Sequence, residues 1–499
     1  MSAHSNLKVV EGLEPAGVWR LFAGMADVPR PSKHEEKIRE HVRRTAEGMG
    51  FAVRQDRVGN MVIEVPASAG RENAAITVLQ GHLDMVPEKN TGTEHDFEQD
   101  PIRLVLDKDP QSAEPIVRAD QTTLGADNGI GVALALAAAS SPDVIHGPLE
   151  ILCTTDEEAG MTGAGALTPE SFKGRCLLNL DSEEDDALYI GCAGGCDSTL
   201  AWDFPLHPIG AGAEVYRVTV AGLRGGHSGS NINENRGNAI KLLARTLSRA
   251  DVPGLQIARI AGGSKRNAIP REASAVVVVP AGGASGLQAT ADAVREEAVA
   301  ESPEPNLSLS IEPAAAADAS TAISSEYTKV LIDTIRALPH GVLEMHRELA
   351  GLVQTSNNVA TVTAGRDAAM HVEVGALSRS SSSTRLQATL DQIAAVGRLA
   401  GASVRAANSY PSWAPNMESP ILATCRRVYA ELFGEEPKVA AIHAGLECGI
   451  IGQRVGSVDM VSFGPRIEGA HSPEERVYVD SVRKSWQYLI AVLAELARG

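Results

Sequence analysis

AAITVLQGHLDMV, residues 74–86, is an apolar run of strand length that stops on His82 and Asp84. A continuous apolar strand marks a sheet covered on both faces, and polar residues where it stops mark the carboxyl edge at which such sheets open their sites. Two further runs follow the same plan. LEILCTTDEEAG (149–160) ends in Asp156, Glu157 and Glu158, and RCLLNLDSE (175–183) ends in Asp181. Between the first run and the second, GADNGIGVALALAAAS (125–140) passes from a glycine-rich loop carrying Asp127 into an apolar helical pattern. This alternation predicts an α/β domain with a central mixed sheet flanked by helices.

Upstream, a helical stretch around Pro15–Gly24 precedes PRPSKHEEKIREHVRRTAEGMG, a charged periodic run that Ser32 is placed to cap. FAVRQDRVGNMVIEV (51–65) reads as two strands about a turn at Gly59–Asn60. After Gly191 the character changes. YRVTVAG and ASAVVVVP alternate, and AGGASG (281–286) and AAAADAS (314–320) read as low-complexity linkers. Residues 217–247 and 371–401 share one plan, strand then Gly/Ser loop then helix, as two related halves of one domain would. From Tyr410 the first pattern returns, with a helix in PILATCRRVYAELFG, a buried strand in VDMVSFGP and an amphipathic closing helix in KSWQYLIAVLAELARG. The expected layout is a discontinuous catalytic domain, residues 1–191 and 409–499, with an inserted α+β lid domain over 192–408.

A chain of 499 residues exceeds one ordinary core. No uninterrupted apolar stretch reaches the roughly 18 residues of a membrane span. The start, MSAHSNLKVVEGLEPAG, has neither the basic onset nor the apolar run of a signal peptide, so the cytoplasm is the expected compartment. A net charge of −18 disfavours nucleic acid and anionic membranes as partners. Of the six cysteines, Cys192 and Cys196 are spaced C-x3-C. No second pair or neighbouring His completes a zinc site there, so reduced, buried thiols are expected.

Five short motifs place a potential metal ligand at a strand or helix end: GHLDMV (His82, Asp84), TTLGADNGIG (Asp127), TTDEEAG (Glu157, Glu158), LNLDSE (Asp181) and EGAHSPEE (His471). Singly, each suits a cap or a surface polar group, and the DEE run suits a helix start favoured by its dipole. Jointly they gather where an α/β sheet opens its site. Taken as ligands, His82, Asp127, Glu158, Asp181 and His471 match two divalent ions, zinc first, with manganese or cobalt as replacements. Without cations, buried carboxylates so close would repel and take up protons. Asp84, two residues beyond His82, suits a group that fixes the imidazole. Glu157, beside a ligand, is left to take a proton from water.

At these motifs the sequence resembles the family of co-catalytic zinc peptidases and deacylases that includes aminoacylase, carboxypeptidase G and carnosinase, and within it a bacterial dipeptidase branch. The likeness rests on PRPS at Arg30, TTLGADNGIG (122–131), TDEEAGMTGA (155–164), GGHSG (225–229), RNAIPREA (266–273) and IHAGLECG (442–449), and so covers nearly the whole chain. It implies that His82 and Asp181 hold one metal, Glu158 and His471 the other, and that Asp127 bridges both. It implies Glu157 as general base and then acid, Asp84 as the residue orienting His82, and His227 as a donor to the tetrahedral oxyanion. Asn267 and Arg379 would bind the substrate's ends. A small unblocked dipeptide, Xaa-His included, is the implied substrate, and a homodimer is a common state in the family. An N-acyl amino acid deacylase or a carboxypeptidase on the same scaffold attacks the same kind of bond and stays open here. A metal-binding protein without catalysis leaves the extra acid, Glu157, unexplained.

Overall fold

The computed structural model describes residues 5–302, 304–315 and 319–498. The chain divides into two compact units. The first runs through Gly191 and resumes over Pro415–Ala441 and from Leu446 onward; the second is Cys192–Ala414 with Ile442–Gly445.

The first unit is built on one eight-stranded sheet. Its strands are β1 (Ala52–Gln55), β2 (Met61–Val65), β3 (Thr77–His82), β4 (Leu149–Thr154), β5 (Cys176–Asn179), β6 (Ala187–Cys192), β7 (Lys438–Ile442) and β8 (Asp459–Ser462). The spatial order is β1–β2–β4–β3–β5–β8–β6–β7. β3 lies parallel to β4 and β5, and β5 parallel to β8, while β1–β2 and β2–β4 are antiparallel. The sheet is therefore mixed, with a parallel centre. β3 and β4 are buried at every position, as their unbroken apolar sequences require.

Register fixes the site. His82 stands opposite Thr154, and Gln80 opposite Asn179. The residues just beyond these strand ends, Glu157, Glu158 and Asp181, therefore emerge on one edge beside His82. The helix Ala126–Ser140 carries Asp127 at its first turn. Nearly all its side chains are buried, and it packs on the helix Ala16–Ala26, which contributes Trp19, Phe22 and Met25 to the core. A small antiparallel sheet orders Ile467–Glu468, Arg476–Tyr478, Pro115–Ala119 and Leu104–Lys108, and the hairpin between the first two presents His471. The helix Pro420–Phe433 shows its ends in the sequence: Ser419 accepts the Leu422 N–H, Pro420 opens the first turn, and Gly434 closes it at φ +74°.

The second unit is a wholly antiparallel sheet. Its order is Ser308–Pro313, Glu214–Ala221, Ala273–Val279, Gln256–Gly262, Val353–Arg366, Ala369–Ser380, Gly194–Pro205 and Ser403–Tyr410, with Gly341–Met345 paired to Val353–Arg366. In each half, a strand runs through a loop into a helix and on to a strand two places away. Glu214–Ala221 leads through Ala239–Arg249 to Gln256–Gly262, and Ala369–Ser380 leads through Ser383–Leu399 to Ser403–Tyr410. The two look-alike segments thus occupy equivalent places in two split β-α-β arrangements.

Three sequence expectations change. The second junction falls between Ala414 and Pro415 rather than after residue 408, because Tyr410 still pairs with Gly195 and Trp413 bridges Cys192. Ser32 does not cap the helix that follows; that helix begins at Glu36, and the Ser32 hydroxyl donates to the Met85 carbonyl. AGGASG is no linker but a turn feeding the helix Ala284–Glu301, and residues 316–318 of AAAADAS lie outside the described residues. Among the described residues all six cysteines are free of disulfides, and no helix is long and apolar enough to cross a membrane.

Candidate metal centre

The five expected ligands, all in the first unit, converge. One oxygen of Asp127, Oδ1, lies 2.9 Å from His82 Nε2; the other, Oδ2, lies 3.2 Å from His471 Nε2. His82 Nε2 is also 3.4 Å from Asp181 Oδ1, and His471 Nε2 is 3.0 Å from Glu158 Oε2. Ligand atoms of His82, Asp127 and Glu158 fall within 4.8 Å of one another. The set therefore sorts into two groups, His82 with Asp181 and His471 with Glu158, joined by the two oxygens of a single carboxylate.

These spacings fit two cations. Atoms about 2.0–2.2 Å from a shared tetrahedral ion lie roughly 3.3–3.6 Å from each other. Glu158 Oε1 and Asp181 Oδ1 are buried and accept no hydrogen bond, which is costly for a carboxylate unless a cation meets it. Electrostatics agree. Burial, then Asp127 and Glu158, push the Asp181 carboxyl up to about 7 against the pull of His82. Hydrogen bonds to Asp127 and Glu158 push His471 up to about 11. Burial opposes a charge on His82, yet Asp181, Asp127 and Asp84 raise it well above its ordinary value. A cluster in which Asp181 and both imidazoles hold their protons more tightly carries excess negative charge, which two divalent ions would neutralise.

Local structure aims each ligand. His82 Nδ1 faces the Asp84 backbone carbonyl at 3.1 Å and Asp84 Oδ1 at 3.4 Å, so the ring proton sits on Nδ1 and Nε2 keeps its lone pair for ligation. Asp84 in turn accepts the backbone N–H groups of Glu157 and Glu158 at 3.0 and 3.1 Å. One carboxylate thus orients His82 on β3 and fixes the turn after β4. In that turn Asp156 has φ +53°, and His471 has φ +62°; non-glycine residues held in this region collect at functional sites. Asn128 accepts the His82 N–H at 3.3 Å and donates to the Leu180 carbonyl at 2.6 Å, tying Asp127's neighbour to two ligand-bearing strand ends. A Cβ on Gly81 would fall 2.2 Å from Asn128 Oδ1, so only glycine admits this tie. No hydrogen bond or ion pair engages the Glu157 carboxylate among the described residues. Burial, then Asp181, Glu447 and Glu158, push it well above the ordinary range, with His82 pulling the other way.

His227, Asn267 and Arg379 belong to the second unit. His227 and Arg379 come together there; no side-chain hydrogen bond joins Asn267 to either among the described residues, and its backbone carbonyl accepts the Ser228 N–H at 2.8 Å. His227 Nδ1 accepts the N–H groups of Gly229 and Ser230 at 3.3 and 3.2 Å, which leaves the ring proton on Nε2. That Nε2 lies 3.4 Å from Arg379 Nη2, donor against donor, an arrangement that acceptor oxygens of a bound ligand would satisfy. Arg379 is 5% exposed, donates to the Tyr410 hydroxyl at 2.5 Å and has no carboxylate within ion-pair distance among the described residues. Burial and Arg379 hold His227 down at about 4.

Several participants were not singled out from sequence. Glu447, fully buried, takes hydrogen bonds on Oε2 from Gln80 at 2.7 Å and Thr154 at 2.6 Å, and its Oε1 accepts none. His443 meets the Ser356 hydroxyl at 2.7 Å, and Tyr410 meets Arg379. His443 and Glu447 were visible only as polar letters inside IHAGLECG.

Comparison with known proteins follows the same line. The model of the peptidase family M20/M25/M40 matches residues 78–495. The cytosol non-specific dipeptidase of Escherichia coli (strain K12) is 40% identical over 485 residues, covering 97% of this chain and 98% of that one. The structure of an aminoacylhistidine dipeptidase from Vibrio alginolyticus superposes with a TM-score of 0.86 at 39% identity, covering 97% and 98% of the two chains. The aminopeptidase PepT of Bacillus cereus shares the fold at a TM-score of 0.60 and 15% identity, over 97% and 99%. With the family model matched over residues 78–495 and a relative of this identity along nearly all its length, the chain belongs to the peptidase family M20/M25/M40.

Proposed function

We propose that the protein is a metal-dependent dipeptidase that hydrolyses unblocked dipeptides, Xaa-His among them, with two divalent ions, zinc first. The observation that carries this is the sharing of Asp127, one oxygen toward His82 and the other toward His471. The names of the Escherichia coli and Vibrio alginolyticus relatives support the substrate class, and the former supports the cytosol as the compartment. His82 and Asp181 would hold one ion, Glu158 and His471 the other, and Asp127 both. When bound, the ions would supply Lewis acidity at the scissile carbonyl and acidify a water molecule.

The chain's own groups do the rest. Glu157, unengaged and with a raised proton affinity, takes a proton from the attacking water and returns it to the leaving amine. Asp84 holds His82 and the Glu157–Glu158 turn in place. His227, neutral with its proton on Nε2, donates to the oxyanion formed from the carbonyl. Arg379, a buried cation without an anion, takes the carboxylate end of the substrate. Asn267 contacts the substrate's other end.

Metal analysis of the purified protein, followed by a panel of free dipeptides, tripeptides and N-acetyl amino acids, tests the proposal. Two equivalents of metal and cleavage of free dipeptides are expected. Cleavage of N-acetyl amino acids alone would place the enzyme with the deacylases, and bound metal with no amide hydrolysis would make it a binding protein.

A further inference from the structure

The motifs PRPS and EGAHSPEE each contain a buried charged residue with no part in the chemistry above, Arg30 and Glu475, and the two meet at one loop. Glu475 is 2% exposed. Its Oε2 accepts the backbone N–H groups of Leu124 at 2.7 Å and Gly125 at 2.9 Å; its Oε1 accepts those of Ala126 at 2.7 Å and Asp127 at 3.3 Å. One carboxylate thus takes four consecutive amides and ends on the bridging ligand itself. Arg30, also 2% exposed, works from the carbonyl side. Its Nη1 donates to the Leu83 and Asp84 carbonyls at 3.0 and 3.2 Å, and its Nη2 to the Gly125 carbonyl.

Glycine makes the fit. A Cβ on Gly125 would stand 2.6 Å from Arg30 Nη2, and one on Gly129 would stand 2.5 Å from it. Gly125 and Gly129 of TTLGADNGIG therefore serve to admit a guanidinium, beyond the φ of +69° at Gly125.

We infer that Arg30 and Glu475 are positioning residues that clamp the Leu124–Asp127 loop between β3 and the His471 hairpin, and so fix the spacing of the two metal sites before any metal arrives. The geometry ties three ligands from three parts of the chain. Arg30 joins the loop to the two residues that follow His82. Glu475, four residues past His471, joins the same loop to the hairpin. Burial opposes the charge on Arg30, and the Glu475 carboxylate favours it. A fork of five donors suits Arg30's task, and a lysine does not span the carbonyls of both segments. A glutamine in place of Glu475 keeps the shape but turns an amide NH2 toward backbone donors.

The clamp rests on the two-metal assignment above, and the test separates them. In Glu475→Gln and Arg30→Lys, zinc affinity measured by chelator competition is expected to fall about 10–100-fold, the size typical when an outer partner of a ligand is lost. The visible spectrum of the cobalt-loaded variants should change, while KM for a dipeptide stays near wild type. Folded variants with wild-type affinity and spectrum would overturn the inference and leave the two-metal reading standing. A variant that does not fold is covered by hydrogen exchange on the wild-type protein stripped of metal. The amides of Leu124, Gly125 and Ala126 should stay protected there, and fast exchange would overturn the clamp. Wild-type protein that binds no metal would instead overturn the two-metal reading, with hydrogen exchange still deciding the clamp.

Discussion

Replacing Arg379 with Met separates a binding role from a structural one. The guanidinium is buried, pairs with no carboxylate among the described residues, and keeps its Nε without an acceptor. Among the described residues its one polar contact outside the His227 approach is the Tyr410 hydroxyl. The folded protein therefore carries the cost of desolvating a cation with little compensation, and an apolar side chain of similar length removes that cost. Losing the Tyr410 contact costs about 1–3 kcal/mol at most. The net change in stability is expected to be near zero or favourable. Binding behaves in the opposite way. A carboxylate held by two charge-assisted hydrogen bonds loses about 1.5–3 kcal/mol for each, or roughly 3–6 kcal/mol together. At 1.36 kcal/mol per decade that is a fall of about 10²–10⁴ in kcat/KM. The assay compares a free dipeptide with its C-terminal amide, in wild type and variant, alongside thermal unfolding. The free dipeptide should lose this factor in the variant and the amide should not. An equal loss on both substrates, or a clear fall in Tm with kcat/KM unchanged, would refute the assignment.

Three further outcomes follow from the site. Glu157→Gln should keep two metals per chain and lose about 10²–10⁴ in rate, the usual worth of a positioned base; retained activity would exclude Glu157 as the base. His471→Ala should lower metal content toward one equivalent, because His471 groups with Glu158 and one oxygen of Asp127 and not with His82 and Asp181, and unchanged content would contradict ligation. His443 is held down at about 3 by burial and Arg379, so it is neutral when folded but takes a proton when unfolded below its ordinary value near 6.5. Its contribution to stability is present above about pH 6.5 and is lost as pH falls toward 3; urea midpoints of His443→Gln should fall less across that window than those of wild type, and parallel curves would contradict it.

What the sequence displayed and what it hid have physical causes. His82, Asp127, Glu157, Glu158 and Asp181 stand where apolar strands stop or where a helix begins, so periodicity alone finds them, and the register of β3 with β4 and β5 brings their strand ends level. His471 was harder, because it sits in a hairpin of a small sheet far along the chain. Arg30 and Glu475 were legible only as letters in motifs. Their partners are backbone groups, and Glu475 lies 349 positions from Ala126, a pairing to which no local pattern points. The same holds for Glu447, whose partners Gln80 and Thr154 lie on two other elements. Ser32 shows the reverse error. It has the right chemistry for a cap, yet tertiary pairing of Pro31 with Met85 directs its hydroxyl to a carbonyl instead. AGGASG likewise has the composition of a linker but supplies a turn and the first residues of a helix.

The most direct measurement is anomalous diffraction at the zinc edge from crystals of the metal-loaded protein. Two peaks are predicted, one beside His82 and Asp181, the other beside Glu158 and His471, with one oxygen of Asp127 reaching each. A single peak, or metal bound away from Asp127, would contradict the account.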